Sequence, residues 1–398
     1  MDVTQLQKEI NNEKALWALF FGIVLVAANL RAPISAVGPL LSSIQESLGL
    51  TKSVAGSMTT IPLVAFALLS PFAPRFARKF GTERTIFVAF IVLTIGIAVR
   101  IYPSIPSLFI GTAFVGAAIA ICNVLLPAII KQHFPLRLGL MTGIYGLVMN
   151  ITAALSSGIS EPLSLYFHWS GALAIWGILA VSALFIWSFQ LKNNQPIKKG
   201  LDKTGSVSFR LRTSSLAWFV TAFMGVQSFL YYTVLTWLPQ ILETYGYSSI
   251  AAGWMLASMQ GALFPMTFLI PILAGKMKDQ RFLSVATGVC FLISSVGLLI
   301  GFWLPLWVLL MGVACGSAFG LAMMFFPLRT KEAHQAAKLS GMAQSLGYLL
   351  AASGPVLFGF IHELSGGWRT PMMLLVILSI VICFFGFKAG SGFVEGEK

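Results

Sequence analysis

The stretch NLRAPISAVGP, residues 29–39, sets Arg31 near the middle of an apolar run from Leu16 to Leu41. An arginine keeps its proton inside a protein, so this is a permanent cation. At 1.5 Å per residue it lies about 22 Å along a helix begun at Leu16, close to mid-bilayer. A cation there costs at least about 2.5–3.5 kcal/mol on insertion scales, so its helix face must turn to the protein interior. Its helical neighbours Ala27, Ala28, Ser35 and Gly38 are small and leave room beside the guanidinium, and Pro33 loosens the helix. None of the 13 acidic residues falls in the middle of an apolar run; Glu161, before Pro162, is the nearest to one. Two uses of Arg31 follow. It contacts an anionic or acceptor-rich ligand, or it serves packing and gating against backbone carbonyls and water.

Other polar groups lie at similar depth. Asn29 precedes Arg31 by two residues. Asn123 stands four residues before Pro127, which has no N–H to offer the Asn123 carbonyl. Gln227 and Tyr231 are one helical turn apart, as are Gln344 and Tyr348, and Trp237 follows further on. Trp237, Tyr232, Gln260 and Asn150 are weaker candidates of the same kind. Such amides, phenols and indoles orient a small polar ligand without adding charge, or else bond to one another between helices. No paired carboxylates, Cys/His dyad or phosphate-binding glycine loop is visible, so the sequence predicts neither enzyme nor cofactor. Cys122, Cys290, Cys315 and Cys383 sit in apolar runs without CxxC spacing, and no metal site is expected.

The elements that must position these groups are membrane spans. The chain has 398 residues, 57% hydrophobic and only 10% charged, with a mean hydropathy of +0.86. A soluble chain carries about 25% charged residues. Twelve apolar runs are long enough to cross a bilayer: roughly 16–41, 53–73, 84–101, 107–130, 138–160 and 170–190, then 214–240, 250–273, 282–303, 305–328, 339–361 and 370–388. These are spans 1 to 12. With both termini inside, 22 of the 26 Lys and Arg fall on the cytoplasmic side. Lys52, Arg100 and Arg369 fall outside, and Arg31 lies within the membrane. That asymmetry follows the positive-inside rule. The net charge of +13 therefore faces lipid headgroups, with no basic-aromatic stripe for nucleic acid.

The two sets of six look like copies. Pro39 and Pro239 are 200 residues apart, as are Pro127 and Pro327; Gly143 and Gly341 differ by 198, and Trp169 and Trp368 by 199. The expected fold is an all-α membrane protein of twelve transmembrane helices. They form two pseudo-symmetric six-helix bundles, with both termini cytoplasmic. The bundles are 1–190 and 214–398, joined by a basic cytoplasmic linker, 191–213. Parallel repeats of this kind place a ligand site at the midplane between them.

The loop GKMKDQR, residues 275–281, follows the major facilitator loop pattern with Gly275 and Asp279. Its counterpart PRFARKFGTER, residues 74–84, keeps Arg75 and Gly81 but has Pro74 and Arg78 where the pattern has Gly and Asp. The usual charge-relay role therefore points to Asp279. Four strings, NLRAPISAVGPLL, NVLLPAIIKQHFP, GVQSFLYYTVLTWLP and LSGMAQSLGYLLAASGP, resemble the cyanate permease and 2-nitroimidazole transporter (CynX/NimT) family of the major facilitator superfamily. The resemblance implies the major facilitator fold in a bacterial inner membrane, alternating access, and a site that includes Arg31, Asn123 with Pro127, and Gln344. Glycines on spans 5 and 11, with Pro355, are expected to let helices pack closely and slide. The expected partners are a small-molecule substrate, the lipid bilayer, and a proton or counter-substrate as coupling species, with no nucleic acid and a monomeric state. The function read from all this is secondary transport of a small anionic or polar organic solute. A multidrug-type exporter of neutral aromatic compounds, or a membrane sensor that binds without transporting, are the alternatives.

Overall fold

In the computed structural model, residues 3–50, 52–194, 211 and 213–394 are described. Most of the linker, residues 195–210 and 212, lies outside them, as does the Glu161 side chain. Every regular element among the described residues is a helix. Eleven are long and apolar enough to cross a membrane, and a bent pair, Thr60–Leu69 with Ala73–Phe80, makes the twelfth.

Span 1 is not one helix. It runs as Val3–Asn29, breaks at Leu30 and Arg31, and resumes for the four residues Ala32–Ser35. Span 2 is Lys52–Leu69. Its chain then turns through a 3-10 segment, Ser70–Phe72, into the short helix Ala73–Phe80. Span 3 is Thr82–Arg100 and span 4 is Ile105–His133. Spans 5 and 6 lie in the stretch Leu138–Ser188, which breaks at His168 (φ 60°, ψ 165°). Spans 7 to 12 are Ser215–Thr244, Ser249–Lys276, Arg281–Ile300, Leu304–Leu328, Ala333–Ser365 and Arg369–Ala389.

The chain divides into two compact units. One comprises Met1–Ile129 and Val148–Asp202, the other Ile130–Leu147 and Lys203–Lys398. Inside the first, the turn after span 1 packs Ala36, Val37, Leu40 and Ile44 against Trp169 and Leu173 of span 6. Spans 3 and 4 touch backbone to backbone, because a Cβ on Gly96 would meet the Gly111 carbonyl oxygen at 2.9 Å. In the second unit glycines bring three helix pairs close, against backbone in two of them and against side chains in the third. Gly312 and Gly316 of span 10 face the carbonyls of Met259 and Leu263, Gly288 of span 9 faces Cys383, and Gly354 of span 11 faces Thr233. Helices in lipid gain little from apolar burial against each other, so close backbone approach supplies the packing.

The corner between spans 2 and 3 depends on Gly81, whose φ of +90° suits glycine. A Cβ there would lie 2.0 Å from the Asn194 side-chain oxygen. Asn194 donates to the Phe80 carbonyl at 2.9 Å and accepts from the Arg84 N–H at 3.1 Å, sealing the corner. Gly81→Ala is expected to lose both bonds and lower the melting temperature in detergent by several degrees. Asn194→Ala should lower it less, since it removes the bonds without adding backbone strain. Equal melting temperatures for Gly81→Ala and wild type would count against this account.

Candidate functional site

Breaking a helix in the membrane leaves carbonyls without their usual partners, and each must be satisfied by another group. Around Arg31 spans 3 and 5 supply three such groups. Thr152 Oγ1 of span 5 donates to the Ala28 carbonyl at 3.0 Å, and Ser157 Oγ donates to that of Ser35 at 3.2 Å. Arg100 Nη1, at the end of span 3, donates to the Pro33 carbonyl at 2.7 Å. The Arg31 carbonyl itself accepts from the Ile34 and Ser35 N–H groups at 3.0 and 2.9 Å, which starts the short helix. Pro33 has no N–H, so the Asn29 carbonyl gets no helical bond from it, which is why the break falls where it does. The outcome is selective exposure. Asn29, Leu30, Ala32 and Pro33 are buried, while Arg31 between them is partly exposed.

Arg100 departs from the sequence expectation, which placed it in an outside loop. Its side chain turns inward and is 1% exposed. Its Nε and Nη2 have no hydrogen-bond partner among the described residues. Nothing in the local sequence RIYPS marks that direction; it arises because Gly111 lets span 4 lie directly over the Arg100 backbone.

The remaining candidates separate by accessibility. Asn29 is fully buried and its amide donates to the carbonyls of Leu25 and Leu179, at 2.9 and 3.1 Å, tying span 1 to span 6. Asn123, Gln227, Gln344 and Tyr348 are also buried. Gln227 Nε2 donates to Ser228 Oγ at 2.6 Å and contacts the Met224 sulfur at 3.3 Å, and Gln344 Nε2 donates to Ser340 Oγ at 2.8 Å. Tyr231 and Gln260 are partly exposed and meet, the phenol donating to Oε1 at 3.2 Å, with the Tyr232 ring 5.1 Å from that of Tyr231. Trp237 is set apart from them. Its indole N–H donates to the Pro355 carbonyl at 2.8 Å, and its ring joins that of Trp368 at 5.1 Å, which ties span 7 to span 11 and to the start of span 12. Pro127 lies within span 4.

The loop residues also have definite places. Gly275 packs on Gly139, 3.0 Å from a built Cβ to its Cα. Asp279 is exposed; it accepts from the Arg281 N–H at 2.8 Å and so caps span 9. Its neighbour Gln280 instead holds the buried Arg329, whose Nη2 donates to Gln280 Oε1 and to the Gly390 carbonyl, the latter at 2.6 Å. Burial pushes the Arg329 guanidinium down to about 10, Asp279 opposing, so it stays cationic at neutral pH. Arg75 and Arg78 are exposed on the short helix Ala73–Phe80. In the second unit, Lys131 at the end of span 4 donates to the Thr330 carbonyl and, at 2.6 Å, to that of Pro327. It therefore sits on the C-terminal carbonyls of span 10, where a cation is favoured.

The sequence matches the model of the Major Facilitator Superfamily over residues 19–353. It is 42% identical over 378 residues to the 2-nitroimidazole transporter of Escherichia coli, covering 94% of this chain and 95% of that protein. It is 26% identical over 374 residues to the cyanate transport protein CynX of Escherichia coli, covering 91% and 96%. The fold matches the bromo-deoxyglucose complex of the proton:xylose symporter XylE with a TM-score of 0.80, covering 96% of this chain and 98% of that one, at 13% identity. The relatives and structural neighbours are transporters and not enzymes. This multi-pass chain, two six-helix bundles with a cation at a broken first span, belongs to the Major Facilitator Superfamily and, within it, to the CynX/NimT family.

Proposed function

We propose that the protein is a secondary transporter of a small anionic or polar organic solute, cyanate-like or nitroimidazole-like, working by alternating access in a bacterial inner membrane. The observation that carries this reading is the exposure pattern at the break. Side chains from spans 3 and 5 satisfy the freed carbonyls, the residues on either side of Arg31 are buried, and the permanent cation stays accessible. Such an arrangement suits a ligand with acceptor oxygens or nitrogens. Arg31 is the charge anchor, and Tyr231 with Gln260 orients the solute by hydrogen bonding. In the first unit Asn29 and Asn123, and in the second Gln227, Gln344 and Tyr348, are supporting groups in buried positions, and Trp237 steadies span 11. The coupling species is a proton or a counter-substrate.

One observation favours a neutral heteroaromatic solute. Tyr231 and Tyr232 present an edge-to-face ring pair next to the Gln260 amide, and the 42%-identical relative is a 2-nitroimidazole transporter. The two readings separate in a thermal-shift comparison of purified wild type and Arg31→Gln with cyanate, small carboxylates and 2-nitroimidazole. Ligand at a hundred times its Kd stabilises the native state by about 2.7 kcal/mol. Stabilisation by an anion in wild type, lost in Arg31→Gln, is the expected result. Stabilisation by 2-nitroimidazole alone, equal in both proteins, would make the solute neutral and Arg31 a gating residue.

A further inference from the structure

The segment SPFAPRFARKFGT, residues 70–82, continues span 2 past its bend to the Gly81 corner, and the transport reading gives its exposed surface no role. At the repeat spacing of about 200 its counterpart is residues 270–282, where span 8 runs on as helix to Lys276 and Asp279 accepts from the Arg281 N–H; the one sharply bent helix pair among the described residues is that of the first repeat. The bundle architecture therefore does not require the bend. Yet the first repeat builds a helix, Ala73–Phe80, bent by 54° from the preceding Thr60–Leu69. It buries Ala73 and Ala77 on one side. Phe72, Phe76 and Phe80, four residues apart, form a stripe beside that side, each about 41–42% exposed. Arg75, Arg78 and Lys79 follow next around the helix, all exposed. The Arg75 guanidinium lies 5.3 Å from the Phe72 ring and the Lys79 ammonium 5.0 Å from that of Phe80, so cations and exposed rings share one surface. The segment contains no acid, and the nearest one, Glu83, is buried.

We propose that this helix is a binding surface for an anionic phospholipid, whose phosphate meets Arg75, Arg78 and Lys79 while its acyl chains lie along Phe72, Phe76 and Phe80. An apolar face flanked by basic residues is the pattern of a helix lying in the membrane interface. The count of Lys and Arg places it on the cytoplasmic side, where anionic headgroups attract such cations. Charge complementarity selects the anionic headgroup, and the phenylalanine stripe selects a lipid over a free phosphate ion. The bend after span 2 supplies the geometry, because a continuation straight along the span would carry the rings out of the acyl region. Replacement of the loop pattern's acid by Arg78 fits the same purpose: an acid there would repel the phosphate.

The test uses the full-length protein in detergent, with bound lipid counted by native mass spectrometry after addition of phosphatidylglycerol or, separately, phosphatidylcholine. Wild type is expected to retain phosphatidylglycerol over phosphatidylcholine by at least fivefold. The triple variant Arg75→Gln, Arg78→Gln, Lys79→Gln should lose that preference, and Lys276→Gln with Lys278→Gln, in the corresponding loop, should keep it. Phe76→Ser, a change at an exposed position, should weaken retention of phosphatidylglycerol even if the triple variant fails to purify. Equal preference in wild type, the triple variant and Phe76→Ser would overturn the proposal. So would the same loss from the Lys276 and Lys278 changes, which would reduce the effect to general positive charge. Displacement of the lipid by an equal concentration of inorganic phosphate would also overturn it, because the rings would then contribute nothing.

Discussion

Arg100→Met is expected to leave the protein folded and to lower flux of its solute into proteoliposomes at least tenfold. Two energetic terms oppose each other in this substitution. Loss of the charge-assisted bond to the Pro33 carbonyl costs about 1.5–3 kcal/mol. Removal of a buried cation with two unpaired nitrogens relieves a desolvation penalty, and apolar replacement of buried ionic groups is often neutral or stabilising by about 1–4 kcal/mol. The terms are of similar size, so the melting temperature should move by only a few degrees in either direction. Function has no such compensation. Arg100 holds the helix Ala32–Ser35 by the carbonyl two residues past Arg31, and methionine cannot donate to it. The short helix then loses its fixed direction, and Arg31 with it. Arg100→Lys keeps a donor and should recover part of the flux. Wild-type flux in Arg100→Met would show that the bond to Pro33 does not position the break.

The sequence revealed the scaffold more fully than the site, for a physical reason. Apolar runs about twenty residues long are set by bilayer thickness, and the constant spacing of Pro127 to Pro327 or Trp169 to Trp368 reports a duplication directly. Arg31 was equally legible, since a cation in an apolar run is costly wherever it points. The positions of amides and prolines were legible as well, but their exposure was not. Gln227 and Gln344 read like Tyr231 and Gln260, yet the first two are buried with local hydroxyl partners while the second two meet across spans 7 and 8. Side-chain direction there depends on helix rotation, which uniformly apolar helices do not encode by periodicity. The inward contacts of Arg100 and Asn194 carry no sequence signal, because a basic or amide residue at a span end is usually an interfacial one. Gln280 carries none either, because its partner Arg329 is 49 residues away.

Gly143→Leu is expected to abolish transport, with at least a twentyfold loss of flux, while solute binding survives. Gly143 and Gly139 belong to the first repeat by sequence, but Ile130–Leu147 packs within the second compact unit. A Cβ on Gly143 would lie 2.6 Å from the Phe268 carbonyl, one on Gly139 would lie 2.4 Å from that of Pro271, and Gly146 faces Thr267 at 3.2 Å. Span 5 thus lies on span 8 by a stripe of glycines against backbone, which cannot yield as a flexible side chain would. Within the same unit Lys131 sits on the span 10 carbonyls, and the Tyr145 hydroxyl meets the Met323 sulfur of span 10 at 3.6 Å. Alternating access requires contacts between the repeats to part and re-form. A leucine at Gly143 permits the parted state and forbids this one. Protein of normal size-exclusion profile should therefore still be stabilised by solute yet carry none across, with Gly143→Ala intermediate. If flux instead persists at wild-type level with leucine present, closure of span 5 on span 8 is no step of the cycle, and the glycine stripe serves only assembly.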